Sequence, residues 1–149
     1  MKTAESAGAR LEHANLTVRN TEATIRFLQT AFPEFKIRQE KREPGGPHWV
    51  HIGTDETYIA ITEGITPEEP GRRIYSSVPG FNHLAYEVND ADALYERLKS
   101  AGYHNSTPPN HHPARKRVYF LDPDGNDWEF IEYLTEDRAQ RHDYTIPEK

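Results

Sequence analysis

LEHANLTV at residues 11–18 and FNHLAYEV at residues 81–88 carry one pattern twice, and that pattern decides the fold. Ala14, Leu16 and Val18 alternate with His13, Asn15 and Thr17, as Leu84, Tyr86 and Val88 alternate with His83, Ala85 and Glu87. Successive side chains of a strand point to opposite faces, so each stretch predicts a strand with one apolar face to bury and one polar face.

The residues after each stretch supply the cover. After the first, Asn20 or Thr21 can cap a helix in which Ile25, Leu28 and Phe32 recur at helical spacing, and Pro33 stops it. After the second, Asp90 caps, Leu94, Leu98 and Ala101 form the stripe, and Gly102 ends the helix. Shifting the first half by 70 residues superposes His13 on His83, Val18 on Val88, Ala23 on Ala93, Leu28 on Leu98 and Ala31 on Ala101 without a gap. The order strand, helix, turn is therefore duplicated.

Hairpin material follows each helix. Phe35 to Lys41, Trp49 to Ile52 and Thr57 to Thr62 are strand-like and are separated by PGGP and GTDE, while Arg117 to Leu121 and Asp127 to Leu134 flank the turn DPDGN. Asn105 to Pro113 reads as loop, although the duplicated plan calls for a strand after Gly102. Each half is accordingly assigned one strand, a helix and three strands, over residues 10–63 and 81–134 of a single domain. Residues 64–80, rich in Pro and Gly, read as a linker. Residues 1–9 are expected to be disordered, and residues 135–149, highly charged, to form a short helix and tail.

Composition narrows the chemistry. The 149 residues are only 35% apolar and contain no long apolar run, so a membrane span is excluded. The net charge of −6, with acids and bases intermixed, offers no basic stripe for nucleic acid. The absence of Cys removes disulfides, thiolate zinc sites and a cysteine nucleophile, leaving eight His and many carboxylates. The stretch MKTAESAGAR has no apolar core of a secretory signal, so the expected compartment is the cytoplasm.

Strand parity gathers the candidates. In the strand after DPDGN, Trp128 and Phe130 are the natural helix-facing pair, which places Glu129 on the polar face with Asp127 and Ile131. His13, His83 and Glu129 then lie on polar faces of a duplicated unit. Two imidazoles and a carboxylate form the facial triad that holds one side of a divalent metal and leaves positions open for substrate or oxygen. A lone His at the start of a strand is ordinarily a hydrogen-bonded structural residue; its recurrence at the equivalent point of a repeat favours the ligand reading.

LEHANLTV, FNHLAYEV and FLDPDGNDWEF resemble the vicinal oxygen chelate superfamily, which includes glyoxalase I, extradiol dioxygenases, fosfomycin-resistance enzymes and bleomycin-binding proteins. The resemblance covers roughly residues 10–134, and DPDGN with a Glu four residues after its Gly is the most specific part. It implies an α+β fold of two βαβββ modules forming an open eight-stranded barrel-like cleft, and His13, His83 and Glu129 as ligands of one divalent metal, Fe, Mn, Zn or Ni. It also implies a homodimer acting on a small-molecule substrate, as a lyase, isomerase or dioxygenase, as a fosfomycin-type thiol transferase, or as a binding protein without turnover. A complete triad argues against the last.

Glyoxalase I takes a fourth ligand, Glu or Gln, from the last strand of its first module. Matching TYIAIT to NDWEFI puts Ala60 at that point, with Glu63 of the wrong parity and Glu56 in the turn. The same matching makes His51 and Tyr119 equivalent, as candidate acid, base or substrate-orienting groups or else polar walls of a wet cleft, and gives Tyr58 the parity of Ala60. His111 and His112 suggest a metal doublet or, more simply, a solvated loop. Arg72 and Arg73 can bind an anionic group or face solvent, and His48 and Trp49 need do no more than begin a strand.

Overall fold

In a computed structural model of the chain, residues 10–42, 44–64, 75, 79 and 81–148 are described. The chain divides into two units, Met1–Pro67 and Glu68–Lys149. The first contains β1 (His13–Val18), α1 (Thr21–Ala31), β2 (Lys36–Arg42), β3 (His48–Gly53) and β4 (Tyr58–Glu63). The second contains β5 (His83–Glu87), α2 (Ala91–Ser100), β6 (Asn105–His112), β7 (Arg115–Leu121), β8 (Asp127–Tyr133) and the short α3 (Arg138–Arg141). Each unit thus holds a βαβββ module with a four-stranded sheet, ordered β1-β4-β3-β2 in one and β5-β8-β7-β6 in the other. In both, the first strand runs parallel to the last and the other pairings are antiparallel.

The helices begin as the sequence suggests. Asn20 Oδ1 accepts from the N–H of Ala23 and Asp90 Oδ1 from that of Ala93, both at 2.9 Å. A second carboxylate joins each cap from the end of the sheet. Glu63 of β4 accepts from the N–H and hydroxyl of Thr21, and Glu132 of β8 from the N–H of Ala91 at 2.9 Å. Both satisfy N–H groups that a helix cannot satisfy itself and place negative charge at the positive end of the dipole. Helix α2 closes through Gly102, at φ +89°, whose N–H reaches the carbonyl of Lys99 while that of Tyr103 reaches Leu98. Ala101 caps this end and is exposed, so the buried stripe is Ala91, Leu94 and Leu98.

Each core lies between helix and sheet. Ile52 pairs with Ile59 and Val50 with Ile61, while Phe120 pairs with Trp128 and Val118 with Phe130. All eight are buried, with Phe27 and Leu28 of α1 and Leu94 and Leu98 of α2 completing the two cores. Burying a side chain of this size contributes roughly 1.5–3 kcal/mol. The DPDGN turn anchors the second core. Asp122 Oδ1 accepts from the N–H groups of Asp124 and Asn126 at 2.9 Å, Oδ2 accepts from Trp128 Nε1 at 3.1 Å, and Gly125 takes φ +82°.

Strand β6 corrects the loop-like reading of Asn105 to Pro113. It lies at a sheet edge, and its register against β7 breaks between Asn105 and Thr107 and again between Thr107 and Asn110. Pro108 and Pro109, which have no N–H to donate, fall in the second break and are tolerated there. Among the described residues no helix is long and apolar enough to cross a membrane.

Candidate metal centre

The polar face of the second module carries the richer chemistry. His83 pairs with Asp127 and Ala85 with Glu129 across β5 and β8, and Tyr119 pairs with Glu129 across β7 and β8. His83 Nε2 lies 2.9 Å from Glu129 Oε2, and Arg117 Nη1 lies 3.6 Å from Glu129 Oε1. Glu129 is buried, whereas the His83 side chain retains a third of its exposure.

The other edge of the His83 ring is held from outside the repeat. Its Nδ1 lies 3.1 Å from the hydroxyl of Tyr75, which donates to Asp127 Oδ2 at 2.7 Å. Ser106 of β6 donates to Asp127 Oδ1 at 2.6 Å. Burial, and then the bond to Asp127, push the Tyr75 phenol above its ordinary value, so it stays protonated and keeps donating. The Tyr75 oxygen, whose own proton is committed to Asp127, can accept from Nδ1. Tyr119 is likewise pushed up, to about 12, by burial and by the Glu129 carboxylate. It is a hydrogen-bond donor at neutral pH.

In the first module the equivalent registers hold different residues. His13 pairs with Tyr58, and Ala60 lies between Asn15 and His51 where Glu129 lies between Ala85 and Tyr119. The matching of Ala60 to Glu129 and of His51 to Tyr119 is thus reproduced by the strand pairings. His13 Nδ1 is engaged by Glu12, and its ring stacks on Tyr58 at 4.9 Å and 6°. The His51 ring stacks on the same Tyr58 at 4.6 Å and is tilted against Trp49 at 4.9 Å, and the Arg38 guanidinium lies 4.6 Å from the Tyr58 centroid. In place of a carboxylate, this face presents an aromatic ladder.

Other candidates separate from this chemistry. His48 is buried at the start of β3, with Nδ1 2.8 Å from Thr21 Oγ1 and 3.1 Å from Arg42 Nη2. Donor atoms of Glu22, His48 and Glu63 lie within 4.8 Å of one another, as a cation site requires. The Arg42 guanidinium already stands there, 2.6 Å from Glu22, and Glu63 is committed to Thr21. His111 and His112 belong to strand β6, which corrects the loop reading for both; His111 is exposed. His112 is buried and its Nδ1 accepts from the N–H of Ala114 at 3.0 Å. Glu87 lies 3.7 Å from Arg141 Nη1. Arg72 and Arg73 lie outside the described residues. Tyr75 gave no sequence signal, being an isolated Tyr in a Pro- and Gly-rich stretch, whereas Arg117 could have been found by its parity with Tyr119.

Residues 10–130 match the family model of the Glyoxalase/Bleomycin resistance protein/Dioxygenase superfamily. The chain belongs to this superfamily. It is 29% identical over 129 residues to the lactoylglutathione lyases of Neisseria meningitidis serogroups A and B, covering 83% of this chain and 90% of theirs. Among solved structures it resembles a superfamily domain from Frankia sp. EAN1pec, with TM-score 0.68, 23% identity and coverage of 92% of this chain and 100% of that one. It also resembles the fosfomycin resistance protein FosX of Listeria monocytogenes, solved with Mn(II) and sulfate, with TM-score 0.65, 23% identity and coverage of 88% and 98%. These structural likenesses extend the superfamily fold over nearly the whole chain.

Proposed function

We propose that this protein is a metal-dependent enzyme of the glyoxalase/dioxygenase type. It acts as a lyase, isomerase or extradiol-type dioxygenase on a small oxygenated substrate, with one divalent metal, Fe, Mn, Zn or Ni, held by His13, His83 and Glu129. The supporting observation is the 2.9 Å between His83 Nε2 and Glu129 Oε2. Adjacent donors on an octahedral ion, with bonds of about 2.1 Å, stand about 3.0 Å apart. Nδ1 of His83 is turned to Tyr75 and Nδ1 of His13 to Glu12, the partners a ligating His uses to fix its ring. In this reading His13 of the first module supplies the third ligand.

A divalent metal bound there supplies a Lewis acid that polarises chelated oxygens and stabilises the negative charge that develops on them. The chain's own groups do the rest. Glu129 and the histidines fix the position of charge, and Tyr119, protonated at neutral pH, donates to an oxygen of the substrate or orients it. His51, at the equivalent point of the first module, is the candidate proton acceptor.

Ala60 favours a second reading, fosfomycin-type thiol transfer, because lactoylglutathione lyase chemistry moves a proton between adjacent carbons and benefits from a carboxylate at that point. A cytoplasmic homodimer belongs to the same proposal. The test is elemental analysis and calorimetric titration with each metal, followed by assays with hemithioacetal, catechol, and fosfomycin plus thiol. Stoichiometric metal with turnover of one substrate supports the reading. Metal without any turnover favours a binding protein, and no metal binding overturns the site.

A further inference from the structure

Two arginines of β7 converge on one carboxylate beside the candidate metal centre. Arg115 donates from Nε to Glu148 Oε1 at 3.0 Å and also from Nη2; Arg117 donates from Nε to Glu148 Oε2 at 3.0 Å and also from Nη2. The remaining nitrogen of each has a separate task. Arg115 Nη1 donates to the carbonyls of Arg141 and Asp143 at 2.9 and 2.8 Å, and Arg117 Nη1 faces Glu129. The Tyr144 ring lies 4.3 Å from the Arg115 guanidinium and 5.9 Å from that of Arg117. The pair is thus oriented from several directions, with both forks aimed at a single anion. Planar forks in this arrangement match a carboxylate or a tetrahedral oxyanion.

Among the described residues, Glu148 is held by Arg115 and Arg117. Helix α3 buries no residue, and Tyr144 and Ile146 are 66% and 44% exposed, so the segment after α3 is retained by polar contacts rather than by an apolar core. A single guanidinium, that of Arg117, separates Glu148 from Glu129. Without Glu148, two positive charges would face one carboxylate, a surplus that a small anion would neutralise. One anion can replace another here with no rearrangement of the sheet.

We propose that Arg115 and Arg117 form an anion subsite for the acid group of the substrate, a carboxylate or a phosphonate, and that Glu148 is its displaceable internal occupant. This rests on the proposed function only in naming the anion as part of the substrate. The subsite accordingly selects small molecules that carry an acid group within a guanidinium's span of the oxygens bound at Glu129.

The experiment uses the full chain after chelator treatment, so that no anion is recruited by metal. Methylphosphonate and acetate are titrated calorimetrically into wild type, Glu148→Ala and the double variant Arg117→Gln/Glu148→Ala. At least one anion should bind Glu148→Ala about tenfold or more tighter than wild type, and the double variant should lose that gain. The preferred anion identifies the acid group. Equal binding by wild type and Glu148→Ala, or undiminished binding by the double variant, overturns the subsite. Should Glu148→Ala fail to fold, Glu148→Gln, which keeps the size of the side chain and removes its charge, takes its place: it should bind the anion more tightly than wild type, and equal binding overturns the proposal. Because metal is absent throughout, failure of the metal reading leaves this result standing, and the reverse holds too.

Discussion

The two modules share a scaffold and differ on one face. Their caps correspond, Asn20 with Asp90 and Glu63 with Glu132, as do the parallel pairings of first and last strands. At the central position of the polar face the first module has Ala60, beside a ladder of His13, Tyr58, His51 and Trp49, while the second has Glu129, with Tyr119 and Arg117 at hand. Positions that terminate helices and fill cores correspond because each module must bury its own apolar surface. Positions on the polar face carry no such duty, and one module presents a cluster of charges there while the other presents stacked rings.

The largest effect should come from breaking the difference at its centre. Replacing Glu129, His83 or His13 by Ala should lower metal affinity by at least about 100-fold, more than loss of a supporting hydrogen bond costs. Glu87→Ala should keep the metal, since Glu87 lies four residues, or about 13 Å at ~3.3 Å per residue, beyond His83. Calorimetric titration of the four variants is the measurement; equal loss in Glu87→Ala would refute the register. Next in size is Tyr75→Phe. It removes the hydroxyl between His83 Nδ1 and Asp127 and should weaken metal binding roughly 10- to 100-fold while leaving the melting temperature nearly unchanged.

Much of this difference is legible in the sequence alone. Alternation in residues 13–18 and 83–87, the capping residues and the match of Ala60 to Glu129 all come from local periodicity and a repeat without gaps, so they can be read directly. Strand β6 cannot. With Pro108 and Pro109 and little apolar alternation, its extended form comes from pairing with β7 rather than from its own composition. Tyr75 and Glu148 are invisible in the sequence for a related reason: each lies outside the periodic stretches of sequence, so no period relates it to the sheet. His112 looks like a surface group because nothing in NHHPAR announces that its ring packs inward and caps a turn.

The shared scaffold can be tested by removing equivalent caps. Glu63→Ala and Glu132→Ala should each lower stability by about 1 kcal/mol, the usual cost of losing a helix cap, and by similar amounts in the two modules. Neither should alter metal stoichiometry. Denaturant unfolding of the two variants, with metal analysis alongside, makes the comparison. Loss of metal in Glu63→Ala would move the centre to Glu22, His48 and Glu63 and would imply that a cation displaces Arg42.

The smallest effect is a proton. Burial acts to raise the Glu148 carboxyl, but hydrogen bonds from Arg117 and Arg115 outweigh it and hold the group below its ordinary range. Between that lowered value and the ordinary one, of about 4.3, the unfolded or detached segment binds a proton that the docked segment does not. The docked carboxylate therefore contributes stability above the ordinary value, and this is lost as pH falls through the lowered one. The charged groups that face Glu148 are Arg115 and Arg117, with Glu129 beyond Arg117. Glu63 is lowered as well, by hydrogen bonds from the Thr21 hydroxyl and N–H, so the first module loses its own carboxylate contact on the same side of neutrality. The wild-type stability curve should hence fall with acidification, and Glu148→Gln should make the slope shallower by at most one proton while Glu63 keeps its share. Urea unfolding at closely spaced pH values below 6 resolves this. An unchanged slope in Glu148→Gln would mean that Glu148 is not docked on the arginine pair in solution.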